Sequence, residues 1–562
     1  MILTAPRLHP PDILTRAGKP DNFWITYGMK SIPNVFDARK TAGYAFAGFS
    51  AIFVFLVAMA YCFSSKYWLL DADPTFPYLL NGLNLATGHT VGHTDHPGTV
   101  LQLLCALSLR ISYLFAPDAR SNTIVQSVLG NPEWYLKNIY IGLFALQAFV
   151  LAVVMARVWT SFNNLTLLLV LLTGLFANPL LIALQAAQLR PEIVMPSLVL
   201  LLTLVTLKRW WEDATAAPQN PSRVLAWSAG ALTGLALFTK ITCFPVFVIS
   251  FFFWNEKRSR WYYAIGFFCI ALLCLPALWD SLGATFSWFI RLTMHDGRYG
   301  VGSTDLLSVK SFYTNIIAML SANIFTVVLL VLTLVGLFIF RKKSHALGWK
   351  IASLHMISAI TIAVVVAKQY YEERYLITVY MTAFLAPFVF ISLQNNAKIK
   401  VLSCVVCVVL IFSSLSRLYN HTEYPSGSNI KRKYAVGGNF SGKFFYYSDF
   451  IKDNASIVER YDSYSLTYGL AFGNYYAKGL YGDILRLMYP HCFTYYLLGD
   501  PHFTHFGKRV SFEEVAAGRP VFIRGTYAAG SRYPDGLILG RRVASFPEGD
   551  NMYELLRQKN SK

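Results

Sequence analysis

Long apolar runs recur along the first three quarters of this chain of 562 residues. Many reach the roughly 18 residues that a helix needs to cross a bilayer core of about 30 Å. They do not alternate apolar and polar residues as the strands of a membrane barrel do, and a helix satisfies its own backbone groups in lipid. We therefore expect transmembrane helices. The composition agrees, because 14% of the residues are charged and soluble domains carry about 25%.

Twelve apolar segments can be delimited, and the basic residues between them indicate their orientation. The segments are 43–63, 98–116, 137–157, 163–189, 191–207, 224–239, 241–256, 261–279, 313–340, 348–367, 375–393 and 399–416. The basic clusters that we place on the cytoplasmic side, where Lys and Arg are enriched, lie at 208–223, 257–260, 341–343 and 398–400, with residues 1–42. The C-terminus then falls outside, which requires an odd number of spans. Either 98–116 stops short of crossing, or 163–189 breaks at Asn178-Pro179, so we expect about 11–13 helices.

The character of the chain changes near Arg417. Long apolar runs stop, and Gly, Tyr, Asp and Lys mix with short β-prone stretches such as Val521-Phe522-Ile523. The remainder is long enough to bury a core of its own and is predicted to form a soluble α/β-type domain. The predicted parts are a cytoplasmic segment (1–42), an α-helical polytopic membrane domain (43–416) with external loops at 64–97, 280–312 and 368–374, and a C-terminal external domain (417–562).

The net charge of +19 does not predict nucleic-acid binding, because no dense basic and aromatic stripe accompanies it. Basic residues at the ends of membrane segments, where they contact anionic lipid, explain the excess. Seven of the eight cysteines lie in apolar segments. Neither a disulfide framework nor a zinc site is therefore predicted.

Two carboxylates follow the first span, in Asp71-Ala72-Asp73-Pro74. A carboxylate that is fixed and partly desolvated can serve as a general base. The structural alternative is a helix N-cap or a solvated pair in a loop. The stretch from Tyr78 to Gly88 is expected to form an amphipathic helix on the membrane interface.

A histidine motif, Gly92-His93-Thr94-Asp95-His96-Pro97-Gly98, opens the second span. Imidazole groups and the amides at a helix N-terminus suit a phosphate oxyanion. His93, Asp95 and His96 could also bind a metal, but they lack a matched ligand elsewhere in the chain. Interfacial capping is the structural alternative.

Charged residues also fall at the ends of later segments. Arg190 and Glu192 lie between two apolar runs. Ionisable residues at such a depth are usually functional or paired, and the structural alternative here is a local pair between these two residues. Lys240 ends one segment and Arg374 opens another. Cations at these ends can neutralise a lipid-linked phosphate or pyrophosphate. The structural alternatives are snorkelling of Lys240 and pairing of Arg374 with a neighbouring glutamate.

Taken in order, these elements resemble those of the GT-C fold glycosyltransferases, in the branch of the protein O-mannosyltransferases and the bacterial lipid A aminoarabinose transferase. The matching elements are Asp71-Ala72-Asp73-Pro74 with the helix that follows, His96-Pro97-Gly98, Arg190-Pro191-Glu192, the stretch from Gly234 to Lys240, and Arg374-Tyr375-Leu376. Gly98 and Glu192 stand where the family has proline and aspartate. The substrate of the named members is therefore not carried over.

The resemblance implies an inverting transfer of a sugar from a polyprenyl-phosphate donor to an envelope glycan, lipid or protein acceptor on the outer face. The implied catalytic residues are Asp73, Asp71 and Glu192, the donor-phosphate residues are His96, Lys240 and Arg374, and the residues that orient the acceptor are Arg190, Asp95, His93 and Tyr375. Asp73 or Asp71 would be the base. Some enzymes of this fold use a divalent metal, but no clear acidic triplet appears here, so neither a metal nor another cofactor is expected.

Other functions of a polytopic protein remain as alternatives. A transporter or flippase of lipid-linked substrates tends to carry its charges near the bilayer midplane and to show internal repeats, whereas here the charges lie at segment ends and no repeat is found. Another lipid-carrier ligase or an assembly protein would fit the same spans. The resemblance also favours a multi-pass protein of the bacterial inner membrane with a periplasmic C-terminal domain.

Overall fold

The computed structural model describes residues 33–64, 72–95, 97–176, 189–214, 223–295, 307–322, 327–328, 331, 346–369, 371–392, 397–422, 455–460, 466–496, 501–525, 533, 537–545 and 551–557. The helices of the first part are α1 (Pro33–Ser64), α2 (Ala72–Ala86), α3 (Thr99–Leu114), α4 (Ile124–Gly130), α5 (Pro132–Phe162), α6 (Leu165–Phe176), α7 (Met195–Ala214), α8 (Arg223–Thr239), α9 (Phe244–Val248), α10 (Lys257–Leu278), α11 (Leu282–Met294), α12 (Val309–Ala322), α13 (Ala346–Gln369), α14 (Ile377–Ser392) and α15 (Ala397–Thr422).

Four helical stretches in the described part of the chain are long and apolar enough to cross a membrane. They are Thr41–Ala60, Pro132–Phe162, Pro191–Glu212 and Lys257–Met294. Shorter apolar helices, such as Arg223–Thr239, coincide with further predicted segments. The helical character of this part is thus confirmed, and the length and composition of these four helices are compatible with membrane spans. The total of 11–13 spans stays a prediction, and Asn178-Pro179 lies outside the described residues.

Local signals explain several helix ends. The N-terminus of α4 carries a reciprocal capping box between Thr123 and Gln126. The next helix, α5, begins with Pro132 after the capping side chain of Asn131, and it ends at Asn163, which takes the left-handed conformation at φ 45°. One expectation was wrong: residues 280–312 are not a loop throughout, because α11 and the start of α12 fall within them.

Small residues let α8 and α10 approach closely. A Cβ atom on Gly230 would lie 1.8 Å from the backbone oxygen of Tyr263, and one on Gly266 would lie 2.1 Å from that of Trp227. Glycines at such a crossing bring two backbones into contact, as in helix pairs within membranes. This crossing holds α8 in place along its length.

Basic residues gather at the end of α8 that is remote from Lys240. Arg223, its first residue, lies 5.6 Å from the centroid of the Tyr262 ring. Arg209 lies 5.6 Å from the centroid of the Trp254 ring, and Arg260 Nε donates to the Trp254 carbonyl at 2.8 Å. Lys240 follows the other end of this helix, about 25 Å away at 1.5 Å per residue. Arg209, Arg223 and Arg260 therefore lie at the opposite end of α8 from Lys240.

The C-terminal part contains a seven-stranded mixed sheet in the order β4-β3-β2-β1-β5-β7-β6. The strands are β1 (Ser456–Arg460), β2 (Cys492–Tyr496), β3 (His502–His505), β4 (Lys508–Val510), β5 (Val521–Gly525), β6 (Leu537–Ser545) and β7 (Asn551–Arg557), and the helices are α16 (Leu466–Tyr476), α17 (Gly482–Met488) and α18 (Phe512–Ala516). The central strand β1 pairs in parallel with β2 and β5, and the outer pairs are antiparallel. The expected sheet with helices is thus present, although α15 continues past the predicted boundary at 417 to Thr422.

The helix after the first span differs from expectation. The sequence predicted an amphipathic helix lying on the membrane interface, but α2 is buried along nearly its whole length, and Leu79, Leu80 and Leu83 are fully buried. The reason is that α16 of the C-terminal part packs against α2 and covers it. Leu470 of α16 and Leu83 of α2 belong to the same hydrophobic core.

Candidate active site

A polar cavity of about 390 Å³ lies where α2, α8, α14 and α16 come together. Its lining residues are Asp73, Pro74, Tyr78, His93, Asp95, Arg190, Pro191, Glu192, Lys240, Glu372, Arg374, Tyr375 and Tyr476. Eight of the ten predicted site residues are among them, although they come from five separate stretches of the sequence. The other two, Asp71 and His96, lie outside the described residues.

Lys240 forms the centre of the positive side of this cavity. Its ammonium group pairs with the carboxylate of Glu192, and the two side chains are only 1% and 3% exposed. The same ammonium lies 4.2 Å from the centroid of the Tyr375 ring, within range of a cation–π interaction. Snorkelling to water is therefore wrong for Lys240. The expected local pairing of Glu192 with Arg190 does not fully describe its contacts either, because Glu192 also pairs with Lys240, which lies 48 residues further along the chain.

Arg374 is the second cation of this side. It pairs with Glu372, as one of the structural alternatives expected, and its Nε lies 3.9 Å from Glu192 Oε1. Glu192 thus lies between two cations, and we call Lys240, Arg374 and Glu192 the cation centre. A single buried cation would cost several kcal/mol of desolvation, which a shared carboxylate offsets.

Asp73 lies at the entrance to α2. Its backbone is extended, at φ −106° and ψ 117°, so the regular helix starts after it, at Pro74. This is the N-cap position, with Pro at the first helical residue. The side chain is exposed and lines the cavity. The position of Asp73 fits the structural alternative of a helix N-cap, and its role as a base stays a prediction.

His93 is held between two tyrosines. Its ring makes edge-to-face contacts with Tyr78 and Tyr476, at centroid distances of 5.2 and 5.0 Å. Burial lowers the pKa of the imidazole, and the nearby carboxylates of Asp95 and Asp73 oppose this only in part. A neutral imidazole, rather than a cation for phosphate, is thus expected near neutral pH.

Gly98, which departs from the family pattern, has a structural reason. It adopts φ 62° at the residue before α3, a conformation that favours glycine. A Cβ atom there would lie 2.4 Å from the Tyr78 hydroxyl oxygen. The missing side chain leaves room for a residue that lines the cavity.

An apolar groove of about 350 Å³ adjoins the cation centre. Its lining residues are Ile241, Thr242, Phe244, Pro245, Trp288, Phe289, Leu292, Thr293, Ile362, Val365, Val366, Lys368, Gln369 and Tyr375. Ile241, the residue after Lys240, lines this groove. Tyr375 lines both the groove and the polar cavity. A molecule with a charged head and an apolar tail would fit the two together.

Sequence reasoning missed two tyrosines of the cavity. Tyr78 was read only as the start of a helix, and Tyr476 belongs to the domain that was assigned no site. The only local signal is aromatic spacing, because Tyr468, Phe472 and Tyr476 follow one another every four residues on α16. Within the described ranges, no cluster of three or more His, Cys, Asp and Glu that could hold a metal ion is found.

The chain matches no protein-family model, no curated protein and no solved structure in these comparisons. Its function is therefore argued from the cavity and from the helices that surround it.

Proposed function

We propose that the protein is a GT-C type membrane glycosyltransferase, which moves a sugar from a polyprenyl-phosphate donor to an acceptor hydroxyl, with inversion. The observation that carries the proposal is the meeting of three parts in one place. A carboxylate at a helix N-terminus, a buried cation centre and an apolar groove are all contiguous. Each part suits one element of the reaction: the acceptor, the phosphate and the prenyl chain.

The acceptor side of the reaction falls to Asp73. Its carboxylate takes the proton of the acceptor hydroxyl while the oxygen attacks the anomeric carbon of the donor sugar. The bond from that carbon to the phosphate oxygen breaks, and its electron pair leaves with the polyprenyl phosphate. Attack from the face opposite the leaving group inverts the configuration. A positioned base of this kind contributes about 10²–10⁴ in rate.

The donor side falls to the cation centre. Lys240 and Arg374 are fixed before the donor arrives, so they can stabilise the charge that develops on the leaving phosphate at little cost in reorganisation. Glu192 balances their charge and holds Lys240 in place. The apolar groove, which starts at Ile241, would take the first isoprene units. A polyprenyl phosphate matches this order of charge and apolar surface.

The arrangement of charges supports an orientation in the membrane. Arg209, Arg223 and Arg260 lie at the opposite end of α8 from Lys240. Because Lys and Arg are enriched on the cytoplasmic side, we place the cavity and the C-terminal domain on the outer face. A bacterial inner membrane with 11–13 spans is part of the same proposal.

The test begins with the lipids of a deletion strain. Mass spectrometry should show a prenyl-phosphate sugar that accumulates, and this lipid then serves as donor for the purified full-length protein. Asp73→Asn should lower kcat by about 10²–10⁴-fold with little change in the KM for the donor. The matched control is Asp483→Asn, because that side chain is 93% exposed and lies outside the cavity. Full activity in both Asp73→Asn and Asp71→Asn would contradict the assignment of the base.

A further inference from the structure

Helix α16 of the C-terminal domain is fitted closely to α2, which carries Asp73 at its start. A Cβ atom on Gly473 would lie 2.8 Å from the backbone oxygen of Phe76, and one on Gly469 would lie 2.5 Å from its ring. Two glycines four residues apart thus bring α16 against the backbone of α2. The contact is specific, since no larger side chain fits at either place without a shift.

The C-terminal end of α16 is also fixed to α2 itself and to the loop that follows it. Asn81 Nδ2 donates to the Tyr476 carbonyl at 3.2 Å, and Asn84 Nδ2 donates to that of Ala477 at 3.4 Å. Both asparagines are fully buried. Lys478 Nζ lies 2.6 Å from Thr90 Oγ1. These bonds determine where the side chain of Tyr476 lies.

The side chain of Tyr476 forms part of the wall of the polar cavity. The ring of Tyr476 contacts His93, whose other neighbour is Tyr78, so three rings run from the membrane part to the C-terminal domain. Asp73 and Asp95 line the same cavity as these three rings. Carboxylates and rings thus lie together in the cavity, beside the cation centre.

We propose that Tyr476 contacts the acceptor and that the acceptor presents a sugar. This assignment of the substrate class rests on the proposed function. Carboxylates accept hydrogen bonds from sugar hydroxyls, and an aromatic ring covers the apolar face of a pyranose. The side-chain amides of Asn81 and Asn84, which could bind the backbone of a peptide acceptor, do not line the cavity and already bond to α16. The C-terminal domain would thus select the acceptor for a base held in the membrane part.

The test measures binding without the donor, so that it does not depend on transfer. Full-length protein in nanodiscs is titrated with methyl pyranosides and, separately, with an N-acetyl-serine methylamide, and binding is followed by saturation-transfer NMR. We expect the pyranosides to bind and the serine derivative not to bind. Tyr476→Ala and Tyr476→Leu should each weaken pyranoside binding about 10-fold, because the ring face is lost. Tyr476→Phe, which keeps the ring, should stay within about 2-fold of the wild type.

The matched control is Leu487→Ala on α17. Its side chain is 82% exposed and does not line the cavity, so pyranoside binding should not change. Melting temperatures of all variants show whether the fold is kept, and the leucine variant retains bulk if the alanine variant unfolds. Equal pyranoside binding in the wild type and Tyr476→Leu would overturn the inference, as would binding of the serine derivative alone.

The two proposals fail in different ways. If the wild type transfers sugar from the prenyl-phosphate donor but the Tyr476 variants bind pyranosides normally, the function stands and the acceptor contact is wrong. If pyranosides bind through Tyr476 but no prenyl-phosphate sugar is ever consumed, the glycosyltransferase is wrong and a sugar site remains.

Discussion

At the scale of single residues, Lys240 shows how a buried charge is kept. Its ammonium pairs with Glu192 and lies over the ring of Tyr375. Replacing one partner of a buried pair leaves the other charge uncompensated, which costs more than the pair contributes. The same residue is thus expected to matter for stability and for donor use, and the two effects can be separated.

Lys240→Met should destabilise the protein by roughly 3–5 kcal/mol, because Glu192 stays buried with its charge less well balanced. The double variant Lys240→Met/Glu192→Gln should recover most of that stability while donor turnover stays lost. The free energy of unfolding in nanodiscs and the KM for the donor measure the two effects. The half-buried pair of Lys137 and Glu133 is the control, and Lys137→Met should cost no more than about 1 kcal/mol. Normal donor turnover in the double variant would argue for a purely structural role.

At the scale of elements, the pairing of α2 with α16 couples the two parts of the molecule. Gly473 permits this pairing because its missing side chain leaves room for the backbone of Phe76. The helix that carries Asp73, the proposed base, thus packs against a domain that lies almost 400 residues further along the chain. Disturbing this contact should reach the cavity through Tyr476.

Gly473→Ala places a Cβ atom 2.8 Å from the Phe76 oxygen, so α16 must shift. We expect a loss of about 1–3 kcal/mol from overpacking, together with reduced transfer. Gly48→Ala in α1 is the matched control, since nothing lies within 4 Å of its Cβ position and alanine favours a helix. Thermal unfolding and transfer rates compare the two. If both variants behave as the wild type does, α16 does not determine the position of α2.

At the scale of the whole molecule, the distribution of arginines distinguishes the two ends of the helical part. Arg209, Arg223 and Arg260 lie at one end of the helices, and the cavity with α16 lies at the other. This asymmetry predicts one orientation in the membrane. It also predicts that donor and acceptor meet on the outer face.

Reporter fusions measure this orientation directly. Alkaline phosphatase fused after Lys562 should be active if the C-terminal domain lies outside as proposed, and a green fluorescent protein there should be dark. Fused after Ala214, between α7 and α8, the two reporters should give the opposite pattern. The same pattern at both sites would refute the proposed topology.

Many features of this protein can be predicted from its sequence. Apolar length and basic flanks indicate helices and their polar ends, since both depend on neighbouring residues and on the solvent. The change of composition near Arg417 likewise predicts a separate domain with strands. Eight of the ten candidate residues proved to line one cavity.

Only the tertiary structure decided which of these ends meet. The partner of Lys240 is Glu192, 48 residues away, and α2 is buried rather than interfacial because α16 covers it. Tyr476 reaches the cavity through a contact with His93 that no local pattern predicts. Helix formation depends on local spacing, whereas such contacts depend on how distant elements pack. The sequence by itself therefore determined the kinds of elements and their polar ends, and packing decided the composition of the site.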